Sequence, residues 1–561
     1  LNRSSDLEIV GDGIDKTIID GRDLDWFLNI ATGNGIVKVA DMTVANVTMN
    51  YVDAKKYNQH PAISVENGAT ISIDNMKFIR CHGTEGGAIF SEGTMSVKDS
   101  LFFNNGDSNN GGAIKNMGTL TVYASEFIAN HAKYYASIYN DGAMLICDSL
   151  IQDSMRVNGW TGNAMAIGGK GNLTMVNTTV SRSGKTCAEL IGTGQTWANN
   201  PGFAISIGST GNVKVINSTI DGHDRTYSAQ YISNVAFGGS GSIGVFVPYG
   251  LEVVDTRILN LKDIIYSSRG TNLIDSCYIE NVTYVSEGTS YDYNMTVVNS
   301  YFADGTTMVT KKDTANVVLN NNWWGSNDKP VYKVGGNEVS PDTWLVIALD
   351  VNDVDGLQQE AVLSFKVSDG ENVTDYDDST FARQFTISGE NATANVTGGE
   401  ITYKVTVPLV AQEGKGYTIT AVVDNQTVNL TREYAEITPS AEPVYVGQNV
   451  TVVIAVPENV TGNVTVTVDG KDYLASVNGT EAIAVIPDLA IGNHTASVSL
   501  VNDDVYFSKV TAFDIKVLSI EINAPDVRKY FKGSQKLVIT VKDSEGKALA
   551  GEKLLISIDG K

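Results

Sequence analysis

Cysteine, histidine and positive charge are scarce in this 561-residue chain, and each scarcity closes off a class of function. The four cysteines, Cys81, Cys147, Cys187 and Cys277, are scattered and include no C-x-x-C pair, so no disulfide framework is expected. Buried or stacked thiols, with at most one incidental disulfide, are the expectation. The five histidines, His60, His82, His131, His223 and His494, have no metal-ligand spacing. Lys and Arg total 40 against 64 Asp and Glu, a net charge of -24, which argues against a nucleic-acid partner because phosphate binders carry a basic face. Such a charge suits a hydrated secreted or surface protein. No apolar run approaches a membrane span, and no signal peptide is present. The chain starts at Leu1 rather than Met, so further N-terminal sequence is expected to precede it.

What is present is a repeat. Gly86-Gly87-Ala88-Ile89 returns as Gly111-Gly112-Ala113-Ile114, and Thr94-Met95-Ser96-Val97 as Thr119-Leu120-Thr121-Val122. Phe102-Phe103-Asn104-Asn105 returns, at the same offset, as Phe127-Ile128-Ala129-Asn130. A unit this short buries its apolar face only by stacking on copies of itself. A column of Asn or Asp extends the register: Asp41, Asn75, Asp99, Asp148, Asn177, Asn217, Asp255, Asp275, Asn299 and Asn320, with Ala124 the exception. Four and two residues before it stand apolar pairs such as Val37 and Val39, Leu120 and Val122, or Val213 and Val215. That alternation is a strand with one buried face. Three residues after it come Phe78, Phe102, Phe127, Ile220, Ile258, Tyr278, Phe302 and Trp323, which start a second strand beyond a corner. Asn and Asp tolerate left-handed backbone at such corners and can ladder between rungs. Glycines at 35, 68, 93, 118, 142, 171, 211, 250 and 270 are expected to supply positive φ.

The fold class predicted is all-β: a right-handed parallel β-helix solenoid over residues 1–341, followed by Ig-like β-sandwich modules. At about 4.8 Å per rung the rod is roughly 50 Å long. Trp323-Trp324 stands where the repeat stops and is read as a lid on its end. Alternating strands at 345–349, 361–367, 401–407 and 417–430 then suggest one sandwich over 342–434. Those at 448–456, 462–468, 481–486 and 494–501 suggest a second over 435–518, with a tight turn at Asp469-Gly470. Strands at 536–541 and 553–558 suggest a third module over 519–561, truncated at its end.

Taken together, the Gly-Gly-Ala-Ile and Phe-x-x-Asn solenoid, the Asn321-Asn322-Trp323-Trp324-Gly325-Ser326 end and the tandem modules resemble the large adhesin-like surface proteins of methanogenic archaea. Ala524-Pro525-Asp526-Val527 through Gly533, then Leu537-Val538-Ile539-Thr540-Val541, carries the resemblance into the third module. The motifs are also similar to chlamydial polymorphic outer-membrane proteins, which carry more copies and end in a membrane barrel. The resemblance covers essentially the whole chain and transfers no catalytic motif. It implies an extracellular adhesin, anchored through segments outside this fragment, whose partner is a surface glycan or protein of another cell.

Chemistry is otherwise thin. Asp221-Gly222-His223-Asp224-Arg225 packs acids, imidazole and guanidinium into one turn, and parallel β-helices also host polysaccharide lyases and hydrolases. A carbohydrate-active enzyme with accessory modules is therefore the alternative reading. Ser183-Gly184-Lys185-Thr186 lacks the upstream glycine of a P-loop. Asp350-Val351-Asn352-Asp353-Val354-Asp355-Gly356 is one residue too long for a calcium loop, so no cofactor is expected beyond a weakly supported structural calcium. N-x-[ST] sequons are dense in the second half, at Asn372, Asn391, Asn395, Asn425, Asn429, Asn459 and Asn463, and fit a glycosylated exterior. The rungs beginning at Asp148, Asn177 and Asn217 are longer than the rest. Their extra residues, 157–163, 185–203 and 223–241, fall at one place after the second strand and are expected to stack into a ridge. The ridge carries Trp160, Trp197, Phe203, His223, Asp224, Arg225, Tyr227 and Tyr231, aromatics and polar groups suited to sugar or protein contacts.

Overall fold

The computed structural model describes residues 5–22, 26–33, 35–48, 60–107, 109–156, 165–192, 207–223, 235–237, 250–265, 270–286, 294–303, 309–310, 316–378, 380–389, 396–551 and 553–557. Two compact units result, Leu1–Val346 with Phe365–Ala382, and Ile347–Ser364 with Arg383–Lys561.

The first unit is a parallel β-helix. One inward column runs Val39, Ile73, Val97, Val122, Ile146, Met175, Val215, Val253, Ile274 and Val297, each directly paired with the next. Beyond the first corner a second column stacks aromatic rings, Phe78 on Phe102 at 4.9 Å and Phe102 on Phe127 at 4.6 Å. The corner residues from Asp41 to Asp255 have left-handed φ between 45° and 57°. Ala124 shares it at 46°, so the solenoid imposes the corner even where the side chain does not favour it.

Three expectations need correction. The corner above Asp255 is Ser276, and the one above Asn299 is Asn321, so Asp275 and Asn320 each sit one residue early. The pleat decides this: Ile274 and Ile279 are the inward pair, and a one-residue slip would turn both outward. Tyr278 consequently faces outward, lying under Arg257 at 4.3 Å and beside Tyr301 at 5.2 Å. The residue over Phe302 is likewise Trp324, at 4.4 Å, not Trp323. Finally, of the glycine column only Gly68 has positive φ. At Gly35, Gly93, Gly118, Gly142, Gly171 and Gly211 rungs stack too closely for a Cβ. One added to Gly118, Gly142, Gly171 or Gly211 would overlap the carbonyl oxygen of the column glycine below.

Just past the corners lies a polar ladder. The backbone N–H groups of Ser100, Ser125, Ser149, Thr178 and Ser218 donate in turn to the hydroxyls of Ser125, Ser149, Thr178, Ser218 and Thr256, at 3.1–3.3 Å. Each of these hydroxyls donates back to the carbonyl two residues earlier. Cys277 and Ser300 continue the column, the Cys277 N–H donating to Ser300 Oγ at 2.9 Å. A second left-handed corner recurs at Asn46, Arg80, Asn104, Ala129, Asp153, Asn260 and Asn281. Behind it Asn105 and Asn130 are fully buried, and the Asn105 amide donates to Asn130 Oδ1 at 3.1 Å and to the Phe78 carbonyl at 2.9 Å. Both ladders satisfy backbone groups that face into a corner and away from water.

The end of the solenoid is closed as expected, and by more than the tryptophans. Trp324 covers Phe302 and lies parallel to Tyr332, while Trp323 is fully buried edge-on to Phe365. Within the same unit, Asp378 accepts from Asn299, and Phe381 packs edge-on to Tyr278.

On the first rungs a small parallel sheet, His82–Gly83, Gly106–Asp107, His131–Ala132 and Met155–Arg156, closes one side. Half-buried His82 and fully buried His131 have ring centres 5.2 Å apart. Burial pushes His82 down to about 4; burial, then the neighbouring His82, holds His131 well below the ordinary range. The unfolded chain takes up protons below about pH 6.5, where these rings in the fold do not. Their contribution is therefore intact above pH 6.5 and lost as pH falls toward 4, on the order of 2–3 kcal/mol for His82. The denaturation midpoint of the β-helix should fall across that window, and less so in His82→Asn. A midpoint equally steep in that variant would remove the histidines from the account.

The second unit is mainly antiparallel, with parallel pairs only where Tyr506–Phe507 meets Gln426–Tyr434 and Val444–Tyr445 meets Thr511–Leu518 among the described residues. Gln358–Ser368 pairs with Lys404–Val410. Arg383–Gly389 pairs with Val396–Ile401 and with Tyr417–Val423, which continues into Gln426–Tyr434. The single strand expected at 417–430 is thus a hairpin, turning at Asp424 with φ 51°. A second sandwich buries Val450, Val452, Ile454, Val464, Val466 and Val468, and its Asp469-Gly470 turn has positive φ at both residues, as a two-residue hairpin requires. In the last segment Ile520–Asn523 pairs with Thr540–Asp543, and residues 553–557, the described part of the strand expected at 553–558, form no strand. The stretch considered for calcium is strand Trp344–Asp355 entering a turn at Gly356. There Asp353 is taken up by Arg432, Gln359 and the Asn502 N–H.

Candidate functional site

The three long rungs are described at the strands that flank their insertions. Leu150–Gln152, Thr179–Ser181 and Thr219–Asp221 lie side by side in parallel, so the three insertions leave the rod from adjoining positions. They return on Met165–Gly169, Ile207–Ser209 and Val235–Phe237, which are also paired, so the third insertion ends before Val235 and not at 241 as expected, because Ala236 and Phe237 are core residues of the rod. Of the residues expected to carry binding, Trp160, Trp197, Phe203, Asp224, Arg225, Tyr227 and Tyr231 lie outside the described residues. His223 is described: it is exposed, has φ 61°, and its ring lies against Gly184 of the neighbouring rung.

A chain of polar side chains braces the outgoing foot. Buried Asp153 accepts from the Ser183 N–H at 2.9 Å and its hydroxyl at 2.7 Å. Asp221 accepts from the His223 N–H at 2.8 Å and from Asn260 at 2.9 Å, and Asn281 donates to Asn260 at 2.8 Å. Asp221 is thereby committed to holding the turn. The stretch once compared with a P-loop is a helix start: Thr186 and Glu189 form a capping box on Cys187–Ile191. Thr186-x-x-Glu189 was its sequence signal. Leu190 and Ile191 pack onto a small cluster with Ala129, Met155, Phe103 and Ile128, anchoring the second insertion to the rod.

The returning foot is aromatic, which the sequence reading missed. The backbone bulges between Tyr135 and Ile138, beside the strand on which the first insertion returns, and the Tyr135 ring lies over Gly168. Tyr139 donates to Asp141 at 2.6 Å, and burial, then Asp141, raises its hydroxyl pKa. The Lys115 ammonium sits between the Phe90 ring at 5.5 Å and the Tyr139 ring at 5.9 Å, paired to Glu85. Lys133 lies over Tyr134 at 4.7 Å. The signal was available: Phe90, Lys115 and Tyr139 are the residues directly after the recurring Ile89, Ile114 and Ile138, and so occupy one outward column.

Among the described residues no three His, Cys, Asp or Glu side chains are placed to hold a metal, and no helix is long and apolar enough to cross a membrane. Fold and site together define an all-β protein, a parallel β-helix with insertions on adjoining rungs followed by Ig-like sandwiches. No family model and no curated protein matches the chain. Solved structures similar in part include the D0-D1 domain of intimin, at 15% identity over 30% of this chain and 97% of that one, with a TM-score of 0.13. Domains 4 and 5 of the S-layer protein SbsC match at 16% identity over 27% and 89%, with a TM-score of 0.12. Titin Ig tandem domains A164-A165 match at 11% identity over 31% and 97%, also with a TM-score of 0.13. Scores this low carry no functional weight, and a titin Ig tandem stands beside the intimin and S-layer domains.

Proposed function

We propose that this chain is part of an extracellular adhesin of the kind it resembles in archaea, held to the cell through segments outside this fragment. In this reading the β-helix meets a glycan or protein of another cell and the sandwiches hold it away from its own surface. The observation that carries the proposal is the alignment of insertions on consecutive rungs. A rod offers little concavity, and loops springing from adjoining positions make a contiguous surface that its short rungs lack. The braced feet support this, because a loop that binds needs a rigid base. Flat aromatic area with polar groups at its edge suits sugar rings or a protein surface.

The test is attachment of the purified protein to target cells or to a glycan array. Trp197→Ala with Tyr227→Ala should weaken binding by about 2 kcal/mol or more, roughly 30-fold, at unchanged thermal stability. Normal binding at normal stability would make the ridge structural and move the adhesive surface elsewhere.

A further inference from the structure

Two sets of N-x-[ST] sequons differ in what their asparagine amides do. On the β-helix, Asn177 and Asn281 spend their side-chain amides along the rod, donating to Asp148 and, at 2.8 Å, to Asn260 on the adjoining rung. A sugar on such a nitrogen would cost the amide its donor bond to the neighbouring rung. In the second sandwich the sequons at Asn449, Asn459, Asn463, Asn478 and Asn493 all have exposed asparagines.

Register sorts these to two ends. Asn463 pairs with Val501, Asn478 with Glu481, and Glu481 with Ala455. Asn459, with φ 68°, stands in the loop that joins Ala455 to Asn463. These three therefore share one end, while Asn449 and Asn493 flank the other, next to the Val450–Ile486 and Asn493–Lys516 pairs. The three-sequon end is the junction with the first sandwich. Asp503 there accepts from the Thr461 and Gly462 N–H groups at 2.7 Å each, and Arg432 donates to the Asp503 carbonyl at 2.7 Å.

We infer that this junction carries a collar of N-linked glycan on Asn459, Asn463 and Asn478, while the rung asparagines Asn177 and Asn281 stay bare. Each collar asparagine sits at a turn or strand end, where the amide reaches solvent without breaking a ladder bond. Bulky hydrated chains there shield the loop between Ala455 and Asn463, the exposed connection nearest the Arg432 hub, from proteases. The inference rests on the surface location proposed above.

The experiment is site-by-site glycopeptide mass spectrometry on the protein purified from the cells that make it, with a membrane-impermeant label recording surface exposure. Sugar mass on the Asn459, Asn463 and Asn478 peptides, with unmodified Asn177 and Asn281, is the expected result. Thr465→Val and Thr480→Val, which remove two sequons and leave their asparagines, should each abolish one discrete step in mobility. Surface-labelled protein with bare collar asparagines overturns the collar alone, and equal occupancy of rung and collar sites overturns the sorting. Protein beyond reach of the label overturns the surface reading beneath both.

Discussion

Gly142→Ala is expected to destabilise the β-helix by more than about 3 kcal/mol, among the largest effects of any single methyl group in the chain. The Gly118 carbonyl that the new Cβ would overlap already accepts the Ala143 N–H at 2.9 Å. Relief would require parting two strands along their whole paired length, from Thr119–Ala143 to Tyr123–Cys147. Gly250→Ala supplies the internal control. In the same column, among the described residues its Cβ would meet only the Asn212 side-chain oxygen, at 3.2 Å, and a side chain can swing aside. A cost below about 1 kcal/mol is expected there. Chemical denaturation of the two variants compares them directly, and near-equal midpoints would refute close stacking as the reason for glycine.

Arg432→Ala is expected to cost the second unit about 3–5 kcal/mol. Its guanidinium is 1% exposed, grips Asp353 through two hydrogen bonds, and donates to the carbonyls of Asp503 and Tyr506. Asp353, 3% exposed, would be left as a buried charge without its cation. Asp353→Asn in the same background should recover part of the loss, since the stranded charge is then gone and Gln359 still has an amide to meet. Calorimetry of the single and double variants reads this coupling. A loss below about 1 kcal/mol for Arg432→Ala would show the pair to be dispensable.

Much of the solenoid was legible because its period is strict. Phe78, Phe102 and Phe127 recur in phase, and a core that stacks identical rungs writes itself into the chain as columns. What misled was local likeness. Asp275 resembles a corner residue, yet the pleat that buries Ile274 and Ile279 places the corner at Ser276. The glycine column was found for the wrong reason, since sequence marks the residue but not which atom approaches it. The hydroxyl ladder stayed hidden because Ser, Thr and Cys alternate in it, and chemical equivalence is not identity of letters. At the site, the insertions were visible as excess length, whereas their aromatic foot at Tyr135 and Tyr139 was not singled out. Asp221 looked catalytic by composition, and its two hydrogen bonds show a turn being held.

The most direct measurement of the central claim is attachment by a protein whose ridge has been cut down. Residues 193–203 and 224–234 are replaced by short connections that leave the helix Cys187–Ile191 and the strand Val235–Phe237 in place, and cell or glycan binding is measured beside the unfolding midpoint. If the ridge is the adhesive surface, binding is lost while the midpoint stays near that of the intact chain. Binding that survives trimming, in a protein that still folds, would contradict it.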